Sequence, residues 1–113
     1  MRIELLWFDG CPNHEAARAA LERILASRGI GAAAVRSVEV DEGSVEALKF
    51  PGSPTNRVDG RDIEPDFEEP ANYALSCRVY QTPKGLRGMP ETAWMERAID
   101  DSLLGESAAD SPR

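Results

Sequence analysis

A near-continuous apolar run, Ile3 to Phe8 (IELLWF), is broken by Gly10-Cys11-Pro12 and followed by a helical pattern. This juxtaposition constrains the fold more than any other feature of the sequence. From Asn13 onward, Ala16, Ala17, Ala20, Leu21, Ile24 and Leu25 share one helical face, and Arg18, Glu22 and Arg23 fall on the other. Gly29 and Gly31 end the pattern. Ala34 to Asp41 then reads as a second strand, strongest at Val38 and Val40. Strand, helix and strand in that order imply a parallel pair joined by a right-handed crossover. An apolar run with so little alternation reads as a strand covered on both faces.

The remaining segments fit around that unit. Ser44 is expected to cap a short helix through Phe50, with Val45 and Leu48 inward, and Pro51-Gly52-Ser53-Pro54 stops it. Thr55 to Val58 and Arg61 to Ile63 flank Asp59-Gly60, a type I′ hairpin signal. Glu64 to Ala74 is acidic and proline-bearing and reads as an irregular excursion. Cys77 to Tyr80 offers one more short strand, and Gly85 to Met89 turns the chain. Pro90 suits the first position of a last helix, whose stripe is Trp94, Met95, Ala98, Ile99 and Leu103 and which Gly105 closes. The predicted order is β-α-β-α-β-β-α. It describes one α/β domain over residues 1–104, a four-stranded mixed sheet with helices on both faces. Residues 105–113 are small and polar and are expected to be a disordered tail.

Charge narrows the function classes. The chain of 113 residues carries a formal net charge of −7. Nucleic acid and anionic membrane both need a basic footprint, so neither is an expected partner. The first apolar run is short, carries Glu4 and ends at Asp9-Gly10, so it is neither a signal segment nor a membrane span. A cytoplasmic chain is expected. In a reducing compartment its two cysteines read as buried spectators, metal ligands or redox groups rather than as staples.

Cys11 falls where the first strand hands over to the first helix. With Cys11 as N-cap, Pro12 becomes the first helical residue, where its missing N–H costs nothing. The free amides and the positive end of the helix dipole then face the sulfur and favour a thiolate. His14, the only histidine, lies three residues on and can either assist that thiolate or sit exposed without a role. Cys11, His14 and Cys77 make three candidate ligands without a second C-x-x-C, so no structural zinc and no cofactor is expected. Pro54, in Gly52-Ser53-Pro54-Thr55, reads either as a cis-proline or as an ordinary trans turn proline at the start of a strand.

The order of strand, C-P-N-H helix, strand, helix, S-P-T, hairpin and helix resembles the thioredoxin superfamily. The likeness covers roughly residues 2–104. FDGCPNHEAA, GSPTNRVDGRDIEP and LSCRVYQT with the following GLRGMP are more closely similar to small bacterial thioredoxin-like proteins labelled DF-family (seleno)proteins. The resemblance implies that Cys11 is the attacking cysteine and that His14 stands where a dithiol motif has its second cysteine. It implies that Pro54 is a cis-proline facing the sulfur. Pro12, Ser53, Pro54 and Thr55 would then form the docking edge for an extended substrate, in the manner of strand addition. In some relatives selenocysteine is thought to replace a cysteine of the redox site, which makes sense only for a nucleophile.

The departure at His14 removes the local resolving thiol. Either an external thiol resolves the mixed disulfide or Cys77 does. In such a fold the segment bearing Cys77 returns towards the cis-proline. A disulfide between Cys11 and Cys77 would stabilise the fold by about 4 kcal/mol on the chain-entropy account. Arg78 is positioned in sequence to favour a thiolate in either partner. The leading expectation is thiol–disulfide exchange with a protein or small-molecule thiol or disulfide. The alternatives are a non-enzymatic binding module with an inert Cys11, and soft-metal or organomercurial binding by Cys11 and Cys77.

Overall fold

The computed structural model describes residues 1–110. Strand β1 (Ile3–Trp7) is followed by helix α1 (His14–Ser27), a 3-10 turn at Ala32–Ala34 and strand β2 (Val35–Glu39). Strands β3 (Thr55–Val58) and β4 (Arg61–Asp62) form a hairpin. Strands β5 (Tyr80–Thr82) and β6 (Gly85–Arg87) form a second one, and helix α2 (Thr92–Asp110) comes last.

The main sheet is four-stranded and mixed, in the order β2-β1-β3-β4. β1 runs parallel to β2 and antiparallel to β3, as the crossover and the Asp59-Gly60 hairpin require. Asp59 and Gly60 take φ of 53° and 82°, the two positive values that a type I′ turn needs. The first helix stops where its glycine predicts. Gly29 takes φ 73°, Ile30 N–H donates to the Leu25 carbonyl at 2.9 Å and Gly29 N–H to Ala26 at 3.0 Å, a Schellman ending.

Alternation along β1 splits the core. Ile3 and Leu5 join Leu21 and Leu25 of α1 and Met95 and Ile99 of α2 in one buried cluster. Leu6 points the other way, into a smaller cluster with Val40, Val45 and Phe50. Both helices therefore share one cluster, and the opposite face of β1 is covered by turns over residues 42–49 rather than by the expected helix. The reason is local. The Ser44 hydroxyl bonds back to Asp41, accepting from its N–H at 3.1 Å, instead of capping amides ahead. The single turn then closes at Lys49, which takes φ 50° while Phe50 N–H reaches the Val45 carbonyl at 3.0 Å.

Further boundaries differ from the sequence reading, among them the start of the last helix, which lies at Thr92 rather than Pro90. The segment at 80–87 is a complete hairpin, where one short strand and a turn were expected. Helix α2 runs through Gly105, which does not take a positive φ, and continues to Asp110. The expected tail is thus helical as far as Asp110, and residues 111–113 of it lie outside the described residues. Among the described residues no helix is long and apolar enough to cross a membrane.

Candidate functional site

The register of the sheet sets the geometry. Leu6 of β1 lies opposite Thr55 of β3, so the segment leaving β1 and the segment entering β3 meet at one end of the sheet. The first of these carries Cys11 and the second Ser53 and Pro54.

After β1 the chain makes a tight turn, with Gly10 at φ 106° and Cys11 N–H donating to the Phe8 carbonyl at 3.1 Å. This turn shifts the helix start. Asn13 is the N-cap and His14 the first helical residue, so Cys11 and Pro12 precede α1 instead of opening it. The Asn13 side chain caps no amide. It lies instead over Gly88, where a Cβ would come within 2.3 Å of its Nδ2, so the C-P-N-H turn and the segment after β6 are in contact. Cys11 itself is only 4% exposed.

His14 is fixed by two contacts, neither of them with the thiol. Its Nδ1–H donates to the Cys11 carbonyl at 2.9 Å. Its ring stacks on Trp7 with centroids 4.2 Å apart and planes 8° from parallel. Trp7 in turn donates Nε1–H to Ser37 Oγ at 2.8 Å. The expected contact of His14 with the sulfur is therefore replaced by one with the main chain of the same residue.

The Ser53–Pro54 peptide is cis. Ser53, Pro54 and Thr55 of the expected docking edge are fully buried, whereas Pro12, its fourth residue, is exposed. Ser53 N–H donates to the Ser76 carbonyl at 2.8 Å, and Arg78 N–H donates to the Ser53 carbonyl at 2.8 Å. Ser53 is thereby paired in a parallel bridge with Cys77. The Thr55 hydroxyl donates to the Gly52 carbonyl at 2.6 Å, and the Tyr80 hydroxyl donates to the Pro54 carbonyl. The chain's own segment Ser76–Arg78 fills the edge beside Pro54. Cys77 is exposed on it, and both cysteines are free thiols.

Arg78 holds that segment down. Its Nη1 donates to Asp62 Oδ2 at 2.6 Å and its Nη2 to Asp62 Oδ1 at 3.0 Å, a bidentate pair. It also reaches Glu64 at 3.1 Å and the Thr55 hydroxyl at 3.0 Å. Its guanidinium lies 4.3 Å from the Tyr80 ring centroid and 4.9 Å from that of Phe67. Burial works against its charge, but the hydrogen bond to Asp62 and the negative charges of Asp62 and Glu64 outweigh burial and hold Arg78 above the ordinary arginine value. Burial has the opposite effect on the Tyr80 phenol and holds it above its ordinary value. Arg78 is thus committed to carboxylates and is not the thiolate partner expected from its place in the sequence.

Gly52 completes the clamp. At φ 124°, a Cβ there would meet Arg78 Cβ at 2.9 Å and Arg78 Cα at 3.1 Å, so only glycine lets the two segments touch. No site role for Asp62, Glu64, Tyr80 or Gly52 was read from the sequence, and no spacing rule links them to Arg78. Cavities of about 500 Å³ and 640 Å³ flank β4 and are lined by Asp62 and Glu64, but neither cysteine lines them. Among the described residues no group of three or more histidine, cysteine or acidic side chains lies together as a metal site. No family model, no curated protein and no solved structure matches the chain.

Proposed function

We propose that this chain is a cytoplasmic thiol-based redox protein on a thioredoxin-like fold, with Cys11 as the attacking thiol and Cys77 as the resolving one. One observation carries the reading: Cys77 is paired through the main chain with Ser53, beside Pro54, at the sheet end that receives the turn bearing Cys11. The sheet order, with its parallel β1–β2 pair and antiparallel β1–β3 pair, supports it. In the fold so read, turns 42–49 stand in for a shortened helix on the second face.

The chemistry is ordinary exchange. The Cys11 thiolate attacks one sulfur of a disulfide; a sulfur–sulfur bond forms to Cys11, and the other sulfur leaves as a thiolate. Cys77 as thiolate then attacks Cys11 Sγ, which closes the internal disulfide and releases the second substrate thiolate. Two electrons have passed from the protein to the substrate, and an external thiol returns them to the internal disulfide. His14 and Trp7 position the turn through the Cys11 carbonyl.

Mild oxidation followed by intact mass measurement under denaturing conditions tests this. The expected result is loss of two hydrogens from the monomer, abolished in Cys77→Ser. Persistence of that loss in monomeric Cys77→Ser removes Cys77 from the mechanism. A Cys11→Ser protein that reduces disulfides as fast as the parent refutes the reading altogether.

A further inference from the structure

We infer that the disulfide attacked by Cys11 belongs to a small molecule and not to an extended polypeptide, because Ser76–Arg78 already occupies the main-chain edge beside Pro54. The inference rests on the redox reading above and adds to it the class of substrate.

An extended substrate joins a strand edge through main-chain hydrogen bonds, with the backbone N–H and C=O of the edge residue as its natural partners. Ser53 has one of each, and both are spent within the chain at 2.8 Å. Ser53, Pro54 and Thr55 offer no exposed surface in addition. A docking peptide must therefore lift Ser76–Arg78 away first. That movement separates Arg78 from Asp62 in an ion pair whose side chains are 6% and 3% exposed, and it also breaks the contacts with Glu64 and Thr55. Leaving a buried charge without its partner is strongly unfavourable. The apparent affinity for any ligand that needs the open form falls by the fraction of molecules that are open.

A small disulfide needs no strand edge. It needs only that one sulfur reach Cys11, which is 4% exposed and so admits a slender reagent better than a folded or extended chain. Cys77 lies on the segment that occupies this edge, and it is exposed and free. The internal strand thus supplies the resolving thiol and excludes a competing one. The electrons balance as above: a small disulfide leaves as two small thiols, the protein leaves as its internal disulfide, and a small thiol reduces it back.

The test uses the reduced full chain with two probes that share a leaving group. One is bis(2-hydroxyethyl) disulfide. The other is a linear ten-residue peptide whose single cysteine is in mixed disulfide with 2-mercaptoethanol. Initial rates are read by acid quench and mass in the Cys77→Ser chain, where the adduct on Cys11 is not resolved. The hydroxyethyl adduct is counted for the first probe and only the peptide adduct for the second, each divided by the rate at which free glutathione forms the corresponding adduct with the same probe. The peptide's normalised rate is expected to be lower by roughly 100-fold, the effect of needing a rare open form. Equal normalised rates, or a preference for the peptide, overturn the inference. Arg78→Met is expected to raise the peptide's normalised rate at least about tenfold, as the open fraction grows; an unchanged ratio counts against the inference. Should that variant not fold, hydrogen exchange on the parent decides. The Ser53 and Arg78 amides are expected to be as protected as those of β1, and exchange as fast as exposed loop amides overturns the inference. The two failures separate cleanly. Rates on both probes that survive Cys11→Ser refute the redox reading, whereas a Cys11-dependent preference for the peptide refutes only the choice of substrate.

Discussion

Asp62→Asn tests the clamp on which the placement of Cys77 depends. The substitution keeps the size of the side chain and removes its charge. Arg78 then stays buried with Glu64 as its one remaining carboxylate, at 3.1 Å and with 24% of the Glu64 side chain exposed. Removing one partner of a buried ion pair costs about 3–5 kcal/mol. The amide oxygen still accepts one guanidinium hydrogen bond, and Glu64 still compensates part of the charge, so the low end, about 3 kcal/mol, is expected. Against a total stability of about 5–15 kcal/mol that is a large share. With a urea slope of about 1.5 kcal/mol per molar, the midpoint should fall by about 2 M. The double variant Asp62→Asn with Arg78→Met removes the stranded charge and should regain part of the loss, because a buried pair replaced as a whole costs less than one that is broken. Equilibrium urea unfolding followed by tryptophan fluorescence measures both. A midpoint shift for Asp62→Asn below about 0.5 M, or a double variant as unstable as the sum of the singles, refutes the argument that a buried charge pins Ser76–Arg78.

Three further outcomes follow from the same structure. Tyr80→Phe removes the donor to the Pro54 carbonyl in a fully buried setting and should lower stability by about 1–3 kcal/mol, the cost of an unpaired buried acceptor; urea unfolding checks it. Asp59 accepts from the Ser102 hydroxyl at 2.5 Å and from the Arg2 amide at 2.8 Å, and these bonds, the first of them foremost, hold it below the usual carboxylate value. Its stabilisation is then full above the unfolded value of about 4 and is lost as pH falls through the folded one, so Asp59→Asn should be less stable than the parent at neutral pH and equal to it in strong acid; denaturation at both pH values decides. Asn56 is fully buried opposite Leu5, and among the described residues neither its Oδ1 nor its Nδ2 has a hydrogen-bond partner. Asn56→Leu should therefore stabilise the fold by about 1–2 kcal/mol, and a lowered unfolding midpoint would contradict this.

The parts of the fold that were legible in the sequence are those in which one residue decides a local geometry. Gly29 ends α1 because it alone accepts the left-handed turn cheaply, and Asp59-Gly60 makes its hairpin for the same reason. Periodicity marked α1 because it buries one continuous face, and an unbroken apolar run marked β1 because it is buried on both faces. The errors come from polar side chains with two possible uses. Ser44 can cap a helix or close a turn backwards, and here it closes on Asp41. The β5–β6 turn carries no Asn-Gly or Asp-Gly signal, since Thr82 builds it with its own hydroxyl, accepting from Lys84 N–H at 3.1 Å and donating to the Gly85 carbonyl at 2.7 Å. Its strands were still readable in principle, because Tyr80 and Thr82 are buried while Gln81 between them is exposed.

The candidate site shows the harder case. Beside Cys77, Arg78 reads as a surface cation, since arginine is rarely buried, and a surface cation next to a thiol reads as its activator. Folding brings Asp62 and Glu64, 16 and 14 residues earlier in the chain, onto the guanidinium and reverses that reading. The charge that adjoins Cys77 in sequence is neutralised on the far side of its own residue, and its effect on the sulfur is mechanical: it fixes the main chain of residues 76–78 against Gly52 and Ser53. If Cys11 exchanges disulfides as proposed, any substitution that loosens Asp62 or enlarges Gly52 should therefore alter which disulfides reach it before it alters how reactive the thiol is.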